Sequence, residues 1–357
     1  MELTIFKALA AFALSFALIK LLKPVSRKVG LVDKPDERKQ HDSAVPLIGG
    51  LVIYLTLLIV GMIFFASSTA LTAYYISAGM LTVVGVFDDR FNLSVRLRIL
   101  ATFIATGIMM YFAGTIFTNL GNMFGFGDVV MPLWLAVPFT LIAALGIVNS
   151  MNMIDGIDGL SSGITILALA SILITLDFTT RLRIFIIVMI AAILAFQVFN
   201  LQLTGRVKKV FMGDAGSMMI GFTLIMMICY CTQSTATRGP RFEAVTGLYF
   251  LGLPLIDMVS TVLRRVKKGK NPFKPDRTHA HHIFMHAGFS PRQTLVIMLC
   301  IAALINGMGI LLNELQAPAW LQFGLFILLF AFYFQGIQHG FKLSHLLQKV
   351  HGERVPS

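Results

Sequence analysis

Four short polar segments of this 357-residue chain carry residue types suited to phosphate chemistry. The first, FDDRFNLSVRLR (87–98), sets Asp88 beside Asp89 and ends on Arg98. Adjacent carboxylates suit a hard divalent cation or a phosphate that carries one; they equally suit a solvated helix cap. The second, NSMNMIDGIDG (149–159), repeats a polar group every third residue at Asn149, Asn152, Asp155 and Asp158. On a regular α-helix such groups drift around the axis. A 3₁₀-like turn, which Gly156 and Gly159 allow, would stack them on one face to meet a sugar nucleotide or a metal–phosphate group. The third, VFMGDAGS (210–217), opens an apolar stretch with Gly213 and Asp214. A helix start there offers free backbone N–H groups and a positive dipole end to a metal–diphosphate, and plain N-capping by Asp214 is the other reading.

The fourth segment, 263–292, is strongly basic and runs through Arg277 into His279-Ala280-His281-His282. Basic residues beside a membrane commonly meet anionic headgroups, while imidazoles beside a diphosphate donate hydrogen bonds or carry protons. Zinc would need further ligands that the pattern does not supply. Asp257 lies inside an apolar stretch, about two turns before Arg264 and Arg265. Its expected role is structural, as an ion pair or a bond to a neighbouring helix.

The elements that position these segments are apolar. The chain is 57% hydrophobic and 13% charged, against about a quarter charged in soluble domains. Hydropathy predicts eleven spans, near 4–22, 47–66, 70–87, 98–118, 129–147, 160–177, 182–201, 214–232, 244–262, 293–312 and 317–338. Each is long enough, or nearly so, to cross a ~30 Å hydrocarbon core as a helix. The expected fold is all-α, a polytopic membrane helix bundle of about eleven transmembrane helices. It forms one integral-membrane domain over 1–357, with its core motifs in 29–292 and the last two helices and a basic tail in 293–357.

Alternating the connections across a bilayer puts 23 of the 29 Lys and Arg on one side. The positive-inside rule then sets the N-terminus in the periplasm and the C-terminus in the cytoplasm. The net charge of +12 is thereby mostly topology, and with no nucleic-acid-binding motif present, nucleic acid is not an expected partner. Asp88, Asp89, Asp155, Asp158 and Asp214 all fall on the cytoplasmic side. Carboxylates near hydrocarbon cost ~2.5–3.5 kcal/mol or more unless compensated, which points to a cation. Glu2 precedes the first apolar run while Lys23, Arg27 and Lys28 follow it, so that run reads as a retained helix and not a cleaved signal. Cys229, Cys231 and Cys300 sit in apolar runs without metal-ligand spacing and read as packing residues. A secondary transporter is the rival of a different class, but transporters place ionisable groups near the midplane of repeated halves. Here the acids gather at one face, and no repeat is evident. The pattern sets no oligomeric state.

Taken in order, these segments, with VGLVDKPDERKQH (29–41) and PLIGG (46–50) before them and KPDRTHAHH (274–282) at the end, resemble the polyprenyl-phosphate N-acetylhexosamine-1-phosphate transferase family. The resemblance runs from about residue 20 to about 292. It implies a Mg²⁺-dependent enzyme of the bacterial inner membrane, with Mn²⁺ able to substitute and the active site facing the cytoplasm. Undecaprenyl phosphate would attack the β-phosphorus of UDP-GlcNAc, releasing UMP and starting a surface glycan such as O-antigen. Another UDP-HexNAc with the same chemistry is the alternative. By resemblance, Asp214 is a metal ligand, and Asn152 lies beside the metal-bound diphosphate. Asp88 and Asp89 serve the lipid phosphate or the metal, and Arg98 meets that phosphate. Phe211 stacks on uracil while Asp158 accepts from the base; Asn149 and Asp155 complete the substrate side. His279, His281 and His282 match the catalytic histidine motif, and His-Ala-His-His in place of three consecutive histidines favours GlcNAc over a muramyl peptide.

Overall fold

The computed structural model of the protein describes residues 2–33, 44–176, 181–205, 207–233, 239–269 and 279–338. Residues 34–41 of the first resembling motif, Lys270, Lys274 and Arg277 of the basic segment, and the tail from 339 lie outside the described residues.

Each of the eleven apolar stretches is helical. The helices are α1 (Glu2–Val29), α2 (Gly49–Phe64), α3 (Thr69–Phe91), α4 (Val95–Ala113), α5 (Leu133–Ile154), α6 (Leu160–Thr175), α7 (Arg181–Asn200), α8 (Gly213–Thr232), α9 (Ala244–Phe250), α10 (Gly252–Lys267), α11 (Ala280–His286), α12 (Pro291–Glu314) and α13 (Ala319–Gln338). Eight of them are long and apolar enough to cross a membrane, and the bent pair α9–α10 makes up to nine. The apolar helices α2 and α6 are shorter, at 16 residues each. Apart from one short β pair, the elements of the described residues are helices, and the chain is a polytopic membrane protein.

The bundle is built around α8, which is apolar on every face after Asp214 and is buried along almost its whole length. Glycines let its neighbours approach at backbone distance. A Cβ on Gly50 of α2 would fall 2.1 Å from Gly216 Cα, and one on Gly85 of α3 would fall 2.3 Å from Ala215 Cα. Small residues at such crossings allow the close packing that membrane helices rely on, where lipid offers no hydrophobic drive. The crossings also deliver the end of α3, with Asp88 and Asp89, onto the start of α8.

Two expectations need correction. The stretch 244–262, read as one continuous span, is two helices bent by 82° at Leu251. Pro254 has no backbone N–H, so it is tolerated in the first turn of a helix and suits a new start there. Gly252 lets that corner press on α12, since a Cβ there would lie 2.6 Å from Ile305. The segment 148–159, read as a connection with 3₁₀ character, continues α5 as regular helix to Ile154, and only 155–159 turns. Burial of Ile147, Met151 and Ile154 at helical spacing holds that last turn in place.

A small β element completes the scaffold. β1 (Val32–Asp33) pairs antiparallel with β2 (Val45–Pro46), matching Val32 with Pro46. The 210–212 segment adds to it: Phe211 N–H donates to Pro46 O at 2.9 Å, and Gly49 N–H donates to Phe211 O at 2.9 Å. This explains the PLIGG run. Gly49 and Gly50 accept the third polar segment where any side chain would meet Phe196, the Phe211 carbonyl or Gly216.

Candidate active site

Arg98 stands at the centre of the first cluster. Ser94 caps α4 by accepting from Leu97 N–H, which sets Arg98 in the first turn and facing α3. Its Nη1 lies 2.9 Å from Asp88 Oδ2 and 3.9 Å from Asp214 Oδ2. Asn152, on the last turn of α5, donates through Nδ2 to Asp214 Oδ1 and, at 3.0 Å, to Ser217 Oγ. Four helices therefore contribute one group each: Asp88 from α3, Arg98 from α4, Asn152 from α5 and Asp214 from α8.

Asp89 is engaged differently. Its carboxylate accepts from Asp214 N–H at 2.8 Å and from Ala215 N–H at 3.3 Å. It therefore caps α8 from a neighbouring helix, in the place a helix's own Ser, Thr, Asp or Asn usually fills. Asp214 does not cap its own helix, and these two N–H groups are not free for a diphosphate. Gly213 makes the arrangement possible: its φ is +74°, and a Cβ would fall 2.4 Å from Asp89 Oδ2.

A small cleft of about 20 Å³ opens beside the cluster between α4, α5 and α8. Arg98, Asn149 and Asn152 form its polar end, and Ile99, Leu145, Val148 and Met218 form its apolar wall. Asn149, one helical step from Asn152, is exposed at that end.

The second acidic turn faces two other groups. Lys209 Nζ is 2.5 Å from Asp158 Oδ2 and 4.8 Å from the centre of the Phe211 ring. The three form a half-buried face made of an acid, a cation and an aromatic ring. Buried Asn200 fastens this face from below: its Oδ1 accepts from Gly159 N–H at 2.7 Å, and its Nδ2 donates to Val210 O at 2.9 Å. Asp155 is pushed up to about 7, first by burial and then by the charges of Asp214 and Asp158. Acids that raise one another in this way would be relieved by a bound cation.

The histidine segment meets the same turn. His281 is 1% exposed, and a Cβ on Gly156 would fall 2.2 Å from its Nε2, so the ring rests directly on the second acidic segment. Neither ring nitrogen of His281 has a hydrogen-bond partner among the described residues. Burial first, then neighbouring His282, pulls it down to about 3, so it is neutral at physiological pH. His282 packs against it with ring centroids 4.2 Å apart. His279 is tied to Asp257, with Nδ1 2.7 Å from Oδ2, a contact to a neighbouring element that is also an ion pair when the ring is protonated.

The described candidate site residues thus gather at one end of the bundle, in an acidic cluster, a Lys209–Asp158–Phe211 face and a histidine wall. Sequence reading missed Lys209 and Asn200. The signals were a lysine two residues before the aromatic ring, and an asparagine closing an otherwise apolar helix. The residues that could hold a divalent metal are Asp88 and Asp214, with Asn152 adjacent. Among the described residues no three His, Cys, Asp or Glu side chains gather into a cage. That sparse carboxylate set fits Mg²⁺, which takes one or two carboxylates and keeps water and phosphate for the rest.

A family model described as Glycosyl transferase family 4 matches residues 71–232, which hold the first three polar segments. The chain is 38% identical over 336 residues to the undecaprenyl-phosphate alpha-N-acetylglucosaminyl 1-phosphate transferase of Escherichia coli (strain K12), covering 92% of this chain and 89% of the relative. The protein of the same name from Yersinia pestis is 36% identical over 342 residues, 95% of this chain and 92% of the relative. That from Pasteurella multocida (strain Pm70) is 35% identical over 358 residues, 96% of each chain.

Proposed function

The chain belongs to glycosyl transferase family 4, with the undecaprenyl-phosphate alpha-N-acetylglucosaminyl 1-phosphate transferases, and from that premise we infer its reaction and the residues that run it. It transfers GlcNAc-1-phosphate from UDP-GlcNAc to undecaprenyl phosphate, giving GlcNAc-diphosphate-undecaprenol and UMP. An oxygen of the lipid phosphate forms a bond to the β-phosphorus, and the bond from that phosphorus to the bridging oxygen breaks, leaving UMP. One phosphoanhydride replaces another, so the reaction is near-balanced, and the protein's task is to bring two anions together and hold them in line.

The observation that carries the residue assignment is the sharing of Arg98 by Asp88 and Asp214 at the polar end of an apolar cleft. A prenyl chain suits the apolar wall, and its phosphate suits Arg98 and the Asn149–Asn152 edge. Asp214 and Asp88 would hold Mg²⁺, or Mn²⁺ in its place, and the ion would supply charge neutralisation to the diphosphate. Asp89 keeps α8 and Asp214 in position. Phe211 offers its ring to the uracil, with Asp158 and Lys209 at its edge. A neutral His281 can donate a hydrogen bond without adding charge, while His279 and His282 complete the wall toward the diphosphate. Asp88 has two possible tasks, proton acceptor or organiser of charge. A phosphate monoester with a second pKa of ~6 is already largely dianionic at neutral pH, which favours the second.

The weight of basic residues on one face supports a periplasmic N-terminus and a cytoplasmic site, in a bacterial inner membrane crossed by about eleven spans with α2 and α6 included. The product would start a surface glycan such as O-antigen or enterobacterial common antigen. Purified protein with undecaprenyl phosphate and sugar-labelled UDP-GlcNAc should move label into the organic phase with Mg²⁺ and not with EDTA. Label that enters equally well from other UDP-HexNAc donors would replace the GlcNAc assignment, and no transfer beside an active relative would reject the reaction.

A further inference from the structure

Asp257, the buried acid of α10, is no part of the phosphate cluster. It is 1% exposed, and its carboxylate takes three hydrogen bonds. His279 Nδ1 lies 2.7 Å from Oδ2, while Tyr333 OH donates to Oδ1 at 2.6 Å and Ala280 N–H donates to Oδ1 at 3.1 Å. The donors come from the residue before α11, from its first residue, and from α13. A carboxylate buried this deeply is strongly disfavoured unless its oxygens are so occupied.

The arrangement settles the chemistry of the His279 ring. An ionised carboxylate only accepts, so Nδ1 must carry a hydrogen, and in the neutral ring the lone pair is then on Nε2. Both hydrogen-bond contacts of the ring, to Asp257 and to Thr261 Oγ1 at 3.4 Å, are made at Nδ1. The ring is also fixed in plane. It lies parallel to His281, with 3° between planes and 5.9 Å between centroids, and His281 rests on Gly156 of the acidic turn.

We propose that Asp257, braced by Tyr333, is a positioning residue that holds His279 as the Nδ1–H tautomer, so that Nε2 takes the proton of any lipid phosphate still present as the monoanion before its oxygen attacks the β-phosphorus. The proposal rests on His279 belonging to that reaction. It also draws α13, which the sequence places beyond the core motifs, into the support of the site, because Tyr333 donates to the carboxylate that holds His279.

The test pairs kinetics with nitrogen NMR on isotope-labelled histidine. Wild-type protein without substrate should show the His279 proton on Nδ1. Asp257→Asn keeps the side-chain size but can turn an N–H toward Nδ1, which moves the ring proton to Nε2. Its kcat should fall about 100-fold, the scale of lost general acid–base catalysis, with KM for UDP-GlcNAc within about threefold. Tyr333→Phe should keep the tautomer and lose about three- to tenfold in kcat, as a weakened brace. A wild-type proton on Nε2 would overturn the proposal, as would a swapped tautomer with unchanged kcat. If Asp257→Asn fails to fold, the wild-type spectrum and Tyr333→Phe still decide. Failure of the transferase reading would appear instead as absence of product from the wild type, while the spectrum reports the tautomer without turnover.

Discussion

Asp89 and Asp214 are 125 residues apart in sequence, and the carboxylate of the first accepts the backbone N–H of the second at 2.8 Å. The acid that closes α8 therefore comes from α3. This separates the adjacent pair by task, since Asp88 turns to Arg98 and Asp89 turns to the helix end. Removing the Asp89 acceptor by Asp89→Ala should cost about 1 kcal/mol of stability, as loss of a helix cap does, and activity with it. Asp88→Ala should cost activity with a much smaller change in melting temperature. Thermal unfolding in detergent compares the two, and a larger stability loss for Asp88→Ala would reverse the assignment.

Asp214→Ala should abolish turnover, since among the described residues Asp214 is the one acid reached by both Asn152 and Arg98. Asp88→Asn discriminates between the two tasks of that residue. As an acceptor of the lipid proton, Asp88 matters most near and below the phosphate pKa of ~6, and the variant should recover as pH rises. Loss that is equal across the pH–rate profile leaves only the charge-organising role.

Gly156→Ala should reduce turnover by about 100-fold while the protein still folds. Its Cβ would fall 2.2 Å from His281 Nε2, and displacement of an active-site group by an ångström is enough for such a loss. Gly156 is itself exposed, so the backbone has room to adjust without unfolding. Single-turnover rates and a melting curve on the same sample check both halves.

The buried neutral His281 gives stability a defined pH dependence. Its folded value of about 3 lies below the ~6.5 of an unfolded histidine. The unfolded chain therefore binds more protons between these values. The contribution is complete above ~6.5 and is lost as pH falls toward the folded value, by up to about 1.4 kcal/mol per pH unit. The melting temperature should decline over that window, and His281→Gln should flatten the decline. Parallel slopes for the two proteins would show that His281 ionises freely in the fold.

Lys209→Ala should raise KM for UDP-GlcNAc about tenfold, with kcat little changed. It removes the cation shared by Asp158 and Phe211, and one charge-assisted hydrogen bond is worth about that factor. An unchanged KM would place the nucleotide elsewhere.

Much of this was legible in the sequence because membrane helices announce themselves by composition, and because polar residues at their ends have few reasons to cluster. The grouping of Asp88, Asn152 and Asp214 followed from their shared side of the bilayer. What a single helix cannot encode in its own periodicity was not legible. Asp89 as a cap depends on Gly85 letting α3 touch α8; Asn200 depends on two turns meeting over the end of α7; Tyr333 depends on α13 reaching α10. The corner at Leu251 escaped because hydropathy measures how apolar a stretch is and not which way it runs. The length of α5 escaped because spaced asparagines look like a turn until Met151 and Ile154 are seen buried between them.

The central claim is transfer of a phosphosugar, and the fate of the β-phosphorus tests it most directly. UDP-GlcNAc radiolabelled at that phosphorus should pass its label to the undecaprenyl phosphate fraction, while label at the α-phosphorus should leave with UMP. If the β-label remained on a released nucleotide while the sugar reached the lipid, the protein would transfer the sugar alone, and the roles given to Asp88, Asp214 and Arg98 would be wrong.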